Sequence, residues 1–409
     1  MDSLSYLQEK LSHLQQKYPH RSRYCALRMA ITSIHALFMR DKIEIVPTRQ
    51  PLESKGSLNT KSQQDEQNLN IVFDVKGGLG DLLIASNYIY YFSQYISDVP
   101  FKLKIHYHSQ SLLESFCGKL PNISQISTEK NLSGLLKIEL NRFPRITAGN
   151  IEKLSAYSPK LGKLLNAWNT FFIHNRKFFD LMPQIDGMSN DYTRLLGGKR
   201  INQADIGGLL KISEEYMAPL KYPTPLETQE ILQRFGLTKP FITLQRGQST
   251  TANNAVNNKL WSIAYYNKLI SLLRQQYPQY QFVQLGTNRE GYNEDFDDID
   301  VNLRGKTNLE ELKVILKHAA LHIDCEGGLV HLRHALKGGP SVVLFGPTSP
   351  DVYGYKENLN LRSTACPHPC EWITNDWLSR CARRTNKHIC MESLTPQFVF
   401  EEIKKWTLI

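Results

Sequence analysis

The sequence predicts an α/β protein made of two doubly wound, parallel-sheet domains, and three observations carry that prediction. A chain of 409 residues exceeds what one ordinary core organises and suits two domains. Short apolar runs alternate with amphipathic stretches on both sides of its middle, the order that builds parallel sheets with crossover helices. Glycine-bearing turns follow strand-like runs at Lys76–Asp81 and Cys325–His331, as they do where an open α/β sheet receives a ligand.

Taken in order, Leu4, Leu7, Leu11 and Leu14 recur at helical spacing, and Leu27, Met29, Ile31, Ile34, Leu37 and Phe38 continue the apolar surface to about residue 46. Arg49–Asn68 is polar and poor in large apolar residues, so residues 1–66 read as a helical extension and linker. Such a helix pair serves packing or oligomerisation, with a basic membrane-surface anchor as the sharper alternative. Leu69–Val75 is a strand, Lys76–Gly80 a glycine loop, Asp81–Ile96 a helix and Phe101–His108 a second strand. From Gly118 to Pro223 the pattern is mixed α/β, with an aromatic patch at Trp168, Phe171, Phe172, Phe178 and Phe179.

Regular alternation resumes with a helix over Leu226–Phe235 that Gly236 ends, then a strand over Phe241–Leu244. A helix over Ser262–Gln276, a strand over Tyr280–Leu285 and a capping box at Thr307–Glu310 opening a helix to His318 follow. Strand Leu321–Cys325, a glycine turn, a helix to Lys337 and strand Ser341–Phe345 complete a second doubly wound domain. The expected division is 67–222 for the first domain, 223–395 for the second and 396–409 for a C-terminal helix.

Hydrophobic residues at 41% and charged residues at 22% match a soluble globular chain. No run approaches about 18 consecutive apolar residues, so no membrane span is expected. Glu9, Lys10, Lys17, His20, Arg21 and Arg23 interrupt any secretory h-region, which makes the expected location cytoplasmic. The net charge of +10 is spread along the chain without a dense Lys/Arg block, which argues against nucleic acid as the partner and leaves phosphates on a small ligand or a lipid.

Three loops carry candidate chemistry. In Lys76–Asp81, Gly77, Gly78 and Gly80 let the backbone approach a ligand, and Asp81 is either a helix cap or a general base for a hydroxyl. In Cys325–His331, Gly327 and Gly328 free backbone N–H groups for a diphosphate at a helix N-terminus. Glu326 there suits sugar hydroxyls, and His331 is either a phosphate donor or a packing histidine; His334 reads as structural. In Gln245–Trp261, Arg246 and Lys259 are candidate phosphate clamps.

These residues resemble glycosyltransferase family 9, the bacterial ADP-heptosyltransferases of the GT-B fold. The resemblance rests on Gly80-Asp81, on Lys259 and Trp261 before a helix with Tyr266, and on Glu326-Gly327-Gly328-Leu329-Val330-His331 followed by Phe345-Gly346-Pro347-Thr348. It implies two facing Rossmann-like domains that close on the substrates, with Asp81 the base of an inverting direct displacement. It also implies Lys259 at the donor diphosphate, Gly327, Gly328 and His331 as the phosphate turn, and Glu326 on the donor sugar. The family usually has Asp where Glu326 stands and Ser or Thr where Gly327 stands. No catalytic metal is implied, in keeping with the lack of an Asp-x-Asp motif in these loops. Implied partners are a nucleotide-sugar donor and a glycan, lipid-linked or protein acceptor, with a homo-oligomer and peripheral inner-membrane contact admitted.

Cys366, Cys370, Cys381 and Cys390 fall within residues 366–390 with spacing Cys-x3-Cys-x10-Cys-x8-Cys. In a reducing compartment such a cluster favours a structural zinc or iron, with disulfides or uncoupled thiols as alternatives. The block resembles the four-cysteine finger of autotransporter heptosyltransferases, which implies a structural role. The competing functional classes are a GT-B transferase with another donor, an inactive homologue, and a non-enzymatic cysteine-finger scaffold or nucleic-acid-binding protein.

Overall fold

A computed structural model describes residues 69–181, 190, 193–194, 197–246, 257–288, 295–366, 369–371, 377–379, 381 and 388–406. The extension and linker expected over residues 1–66 lie outside the described residues. The chain divides into two compact units.

The first unit holds strands β1 (Leu69–Val75), β2 (Phe101–His106), β3 (Ile123–Ser127), β4 (Leu136–Leu140) and β5 (Pro144–Ala148). Its helices are α1 (Leu79–Tyr95), α2 (Gln110–Phe116), α3 (Ile151–Tyr157) and α4 (Pro159–Leu181). The sheet order is β3-β2-β1-β4-β5, parallel except for the β4–β5 pair. Central β1 reads LNIVFDV because a parallel strand covered on both faces needs apolar side chains on both. Helix α1 buries Leu82, Leu83, Tyr88, Ile89 and Phe92. Part of the aromatic patch completes this core: Trp168 lies 6.3 Å from Phe92 in a stacked arrangement, and Phe171 meets Phe143 edge-on at 5.0 Å. Residues 200–221 return to this unit, where Tyr216 Oη and Ser86 Oγ lie 2.7 Å apart and the Met217 N–H donates to Asn87 Oδ1 at 2.8 Å.

The second unit holds β6 (Phe241–Leu244), β7 (Gln281–Gln284), β8 (Val301–Asn302), β9 (Leu321–Cys325), β10 (Ser341–Phe345) and β11 (Leu359–Arg362). Its helices are α5 (Pro225–Arg234), α6 (Ile263–Gln276), α7 (Leu309–His318), α8 (Gly328–Ala335), α9 (Pro350–Tyr353), α10 (Ile389–Glu392) and α11 (Pro396–Trp406). All pairings are parallel in the order β11-β10-β9-β6-β7-β8. Counted from β6, that is the doubly wound order 3-2-1-4-5-6, whose chain reversal falls between β6 and β9. The corresponding reversal in the first unit falls between β1 and β4. These two places are where ligands of such sheets sit.

Among the boundaries that differ from the sequence reading, two have a clear physical cause. The capping box of α7 is Asn308 with Glu311, one residue later than Thr307–Glu310: Asn308 Oδ1 accepts the Glu311 N–H at 3.0 Å, and Glu311 Oε2 accepts the Asn308 N–H at 2.9 Å. Glu310 instead accepts from the fully buried Lys313 at 3.2 Å. Helix α8 ends at Ala335 rather than Lys337, because Lys337 adopts φ 52°, a left-handed conformation that no helix continues through.

Candidate active site

In the first unit, Asp81 sits in the first turn of α1, directly after β1. Its Oδ2 accepts the Gly78 N–H at 2.9 Å, so the carboxylate caps the helix. Arg200 Nη2 donates to Asp81 Oδ1 at 2.7 Å and also to the Asn141 carbonyl at 3.0 Å, while Arg142 Nη1 lies 3.6 Å from the same Oδ1. Asn141 and Arg142 follow β4, so the two sides of the chain reversal meet at this carboxylate. Burial pushes the Asp81 carboxyl up, but Arg142, then Arg200, then the Gly78 N–H outweigh it and bring its pKa to about 2.

Of the three glycines read in this loop, the one that its conformation requires is Gly77. Gly77 has φ 108°, and a Cβ there would lie 2.3 Å from Asp81 Oδ2. Gly78 would tolerate a Cβ, and Gly80 lies buried inside α1. Beside the loop, Asp74 binds Lys76 Nζ and His106 Nδ1, both at 2.6 Å, and the Tyr107 hydroxyl donates to the Gly77 carbonyl at 3.1 Å.

In the second unit, Lys259 and Glu326 form an ion pair at 2.5 Å, with Glu326 only 6% exposed. The first stands on the loop after β6 and the second on the turn after β9, again on either side of the reversal. His331 Nε2 lies 3.9 Å from Glu326 Oε1, and its Nδ1 is 2.7 Å from the Tyr355 hydroxyl. Burial pushes the Glu326 carboxyl up, and Lys259 and His331 more than reverse it, so its pKa falls below the ordinary value. Two residues earlier, Asp324 is 1% exposed, and burial raises its pKa well above the ordinary value.

Gly327 is the N-cap residue of α8 in extended conformation, and Gly328 opens the helix, so their N–H groups stand at its positive end. Arg246 Nε donates to the Trp261 carbonyl at 2.9 Å, which fixes its guanidinium near the Lys259 loop. His334 is structural, as expected: its ring stacks on Tyr355 at 3.6 Å and its Nδ1 meets Glu357 at 2.5 Å. Sequence reasoning missed Arg142, Arg200 and Tyr355, since nothing local in their surroundings marks them.

The cysteine segment is partly described. Cys366, Cys370 and Cys390 are free thiols, which removes disulfides among them. Burial, then Cys390, Cys366 and Cys381, push the Cys370 thiol up to about 12, so the four share one electrostatic neighbourhood. Soft thiolates suit zinc or iron. Among the described residues, however, no group of three or more His, Cys, Asp or Glu side chains is placed to hold an ion, and the Arg362 guanidinium stands among these cysteines. The metal site expected at Cys366, Cys370, Cys381 and Cys390 is thus not assembled among them. No helix among the described residues is long and apolar enough to cross a membrane.

Residues 215–372 match the family model of glycosyltransferase family 9 (heptosyltransferase). No curated protein is similar enough to the chain to count as a relative. Among solved structures, one similar chain is TibC, a dodecameric iron-containing heptosyltransferase in complex with ADP-D-beta-D-heptose. Identity is 15% over 84% of this chain and 78% of that chain, with a TM-score of 0.55. TibC from enterotoxigenic E. coli H10407 gives 16% identity, 83% and 79% coverage and a TM-score of 0.53. The E. coli ADP-heptose lps heptosyltransferase II gives 15%, 82% and 98% with a TM-score of 0.47. Identities this low bear on the fold alone, which is the GT-B pairing of two Rossmann-like domains.

Proposed function

We propose, for a chain whose residues 215–372 are a glycosyltransferase family 9 domain, an inverting transfer of heptose from ADP-heptose to a hydroxyl of a bacterial surface glycan, lipopolysaccharide or protein. That domain makes the protein a glycosyltransferase. The observation that supports the donor side best is the buried Lys259–Glu326 pair beside His331, at the chain reversal of the sheet and inside the matched region.

In this reading the acceptor oxygen attacks the anomeric carbon from the face opposite the diphosphate, the bond from that carbon to the diphosphate oxygen breaks, and the configuration inverts. Asp81 receives the acceptor proton. A carboxylate with a pKa of about 2 is a weak base for a free alcohol, so the proton moves late, once C–O bond formation has made the oxygen strongly acidic. Lys259, His331, Arg246 and the N–H groups at Gly327 and Gly328 neutralise charge on the departing diphosphate. Glu326 holds donor sugar hydroxyls. The four cysteines take a structural iron or zinc with no part in the chemistry, a reading supported by their soft donor set and by the iron of TibC. The oligomeric state of TibC supports self-association of this chain in the same way.

A thermal-shift panel of nucleotide-sugars and nucleoside diphosphates tests the reading. ADP-heptose at about 100 times its Kd is expected to add about 2.7 kcal/mol of stability. Asp81→Asn should keep that shift while losing transfer, and retained transfer would remove Asp81 from its role. Stabilisation by no member of the panel would sink the assignment. A different nucleotide-sugar is the second reading, favoured by Glu326, whose extra methylene brings its carboxylate onto Lys259; the same panel separates the two.

A further inference from the structure

The loop that carries Lys259 is held from behind by the cysteine segment. Asn258 is 2% exposed, its backbone N–H donates to the Leu378 carbonyl at 2.6 Å, and its side-chain amide donates to the Trp377 carbonyl at 2.7 Å. Its Oδ1 accepts no hydrogen bond among the described residues, so the contact the side chain makes is this donation. Next to it, Asn257 Oδ1 accepts the Lys259 N–H at 2.9 Å and its carbonyl accepts the Leu260 N–H at 2.9 Å, closing a tight turn around the lysine backbone.

The same segment grips the neighbouring loop after β10. The Cys370 and Glu371 N–H groups both donate to the Pro347 carbonyl, at 2.8 and 3.1 Å, while Arg362, at the end of β11 and outside the segment, donates to the Thr348 carbonyl at 2.5 Å. The two loops abut at Gly346, where an added Cβ would lie 2.8 Å from the Asn258 carbonyl oxygen and 3.0 Å from Met391 Sδ. One segment therefore carries both loops that flank Glu326.

We infer that the cysteine-bearing segment, residues 366–390, positions the donor lysine, and that Asn258 is the positioning residue through which it acts. The backbone and side-chain hydrogen bonds that Asn258 donates to two successive carbonyls fix where the Lys259 stem leaves the chain, and so where its ammonium stands relative to Glu326. This couples the segment to nucleotide affinity, beyond any part it has in assembly. The inference rests on the assignment of Lys259 to the donor diphosphate.

The test is a set of double-mutant cycles read as the Kd for ADP by calorimetry, with melting temperatures recorded for every variant. Lys259→Ala is expected to weaken ADP binding. Asn258→Ala is expected to weaken it about tenfold, the scale of one or two lost hydrogen bonds, and to add nothing in the Lys259→Ala background. Trp377→Ala keeps the carbonyl that Asn258 meets but removes the buried side chain that anchors it, so it should weaken ADP binding in the otherwise wild-type chain and not in Asn258→Ala. Should Asn258→Ala not fold, Asn258→Leu, which keeps the side chain's size and removes its donor to the Trp377 carbonyl, is read in the same cycle. Wild-type ADP affinity in the folded Asn258 variant, or losses that multiply fully with Lys259→Ala, overturn the inference. Unchanged affinity in Lys259→Ala alone sinks the functional reading instead, so the two failures are distinct.

Discussion

Asp81 caps its helix and, in the proposed reaction, also takes the acceptor proton. Accepting the Gly78 N–H orients it, and two arginines hold it ionised. Its pKa is lower in the folded chain than unfolded, so its contribution to stability is full above about pH 3.8 and is lost as pH falls toward about 2. Arg142→Gln removes the first-named attraction, so the carboxyl pKa rises. The acid limb of the kcat/KM profile is then expected to move upward by on the order of one pH unit, as is the acid end of the stability curve. A pH–rate profile superimposable on that of the wild type would show that Asp81 does not set the acid limb. Glu326 obeys the same physics: its charge is tolerable at 6% exposure because Lys259 lies at 2.5 Å and His331 at 3.9 Å.

At the scale of elements, strand–turn–helix units deliver the chemistry, and their local sequence announces them. The β9–α8 unit uses Gly327 as N-cap with no side-chain hydrogen bond to the helix end. A Cβ there would meet only the Cys325 carbonyl, at 3.6 Å, and the backbone is extended. Gly327→Thr is therefore expected to be tolerated and to raise stability by a few tenths of a kcal/mol, with ADP affinity kept, as measured by denaturant melts and calorimetry. Lost ADP binding in that variant would mean that the ligand approaches the Gly327 Cα more closely than the turn suggests. The α7 capping box shows the limit of such reading: Thr307–Glu310 and Asn308–Glu311 both satisfy the pattern, and the buried Lys313 takes Glu310 away.

At the scale of the whole chain, the cysteine segment links stability to the donor loops. A chain purified without chelator is expected to carry about one iron or zinc per molecule by elemental analysis. Chelation should lower both the melting temperature and ADP affinity, since the ion would stabilise the segment that holds Pro347 and Asn258. Less than a tenth of an equivalent of either metal would leave the segment to its hydrogen bonds alone.

The glycine turns, the strand–helix alternation and the positions of Asp81, Lys259, Glu326 and His331 were legible in the sequence. Strand period, helix caps and glycine turns are written in residues a few positions apart, so a local reading recovers them. Strand order decided the rest. Placing β4 beside β1 brings Arg142 to Asp81, and the return of residues 200–221 to the first unit brings Arg200 across 119 positions of sequence. Placing β9 beside β6 pairs Glu326 with Lys259, and the path of the cysteine segment puts Trp377 and Leu378 against Asn258. Coulomb energy and hydrogen bonds depend on distance in space, and that distance exists only once the sheets have chosen their neighbours.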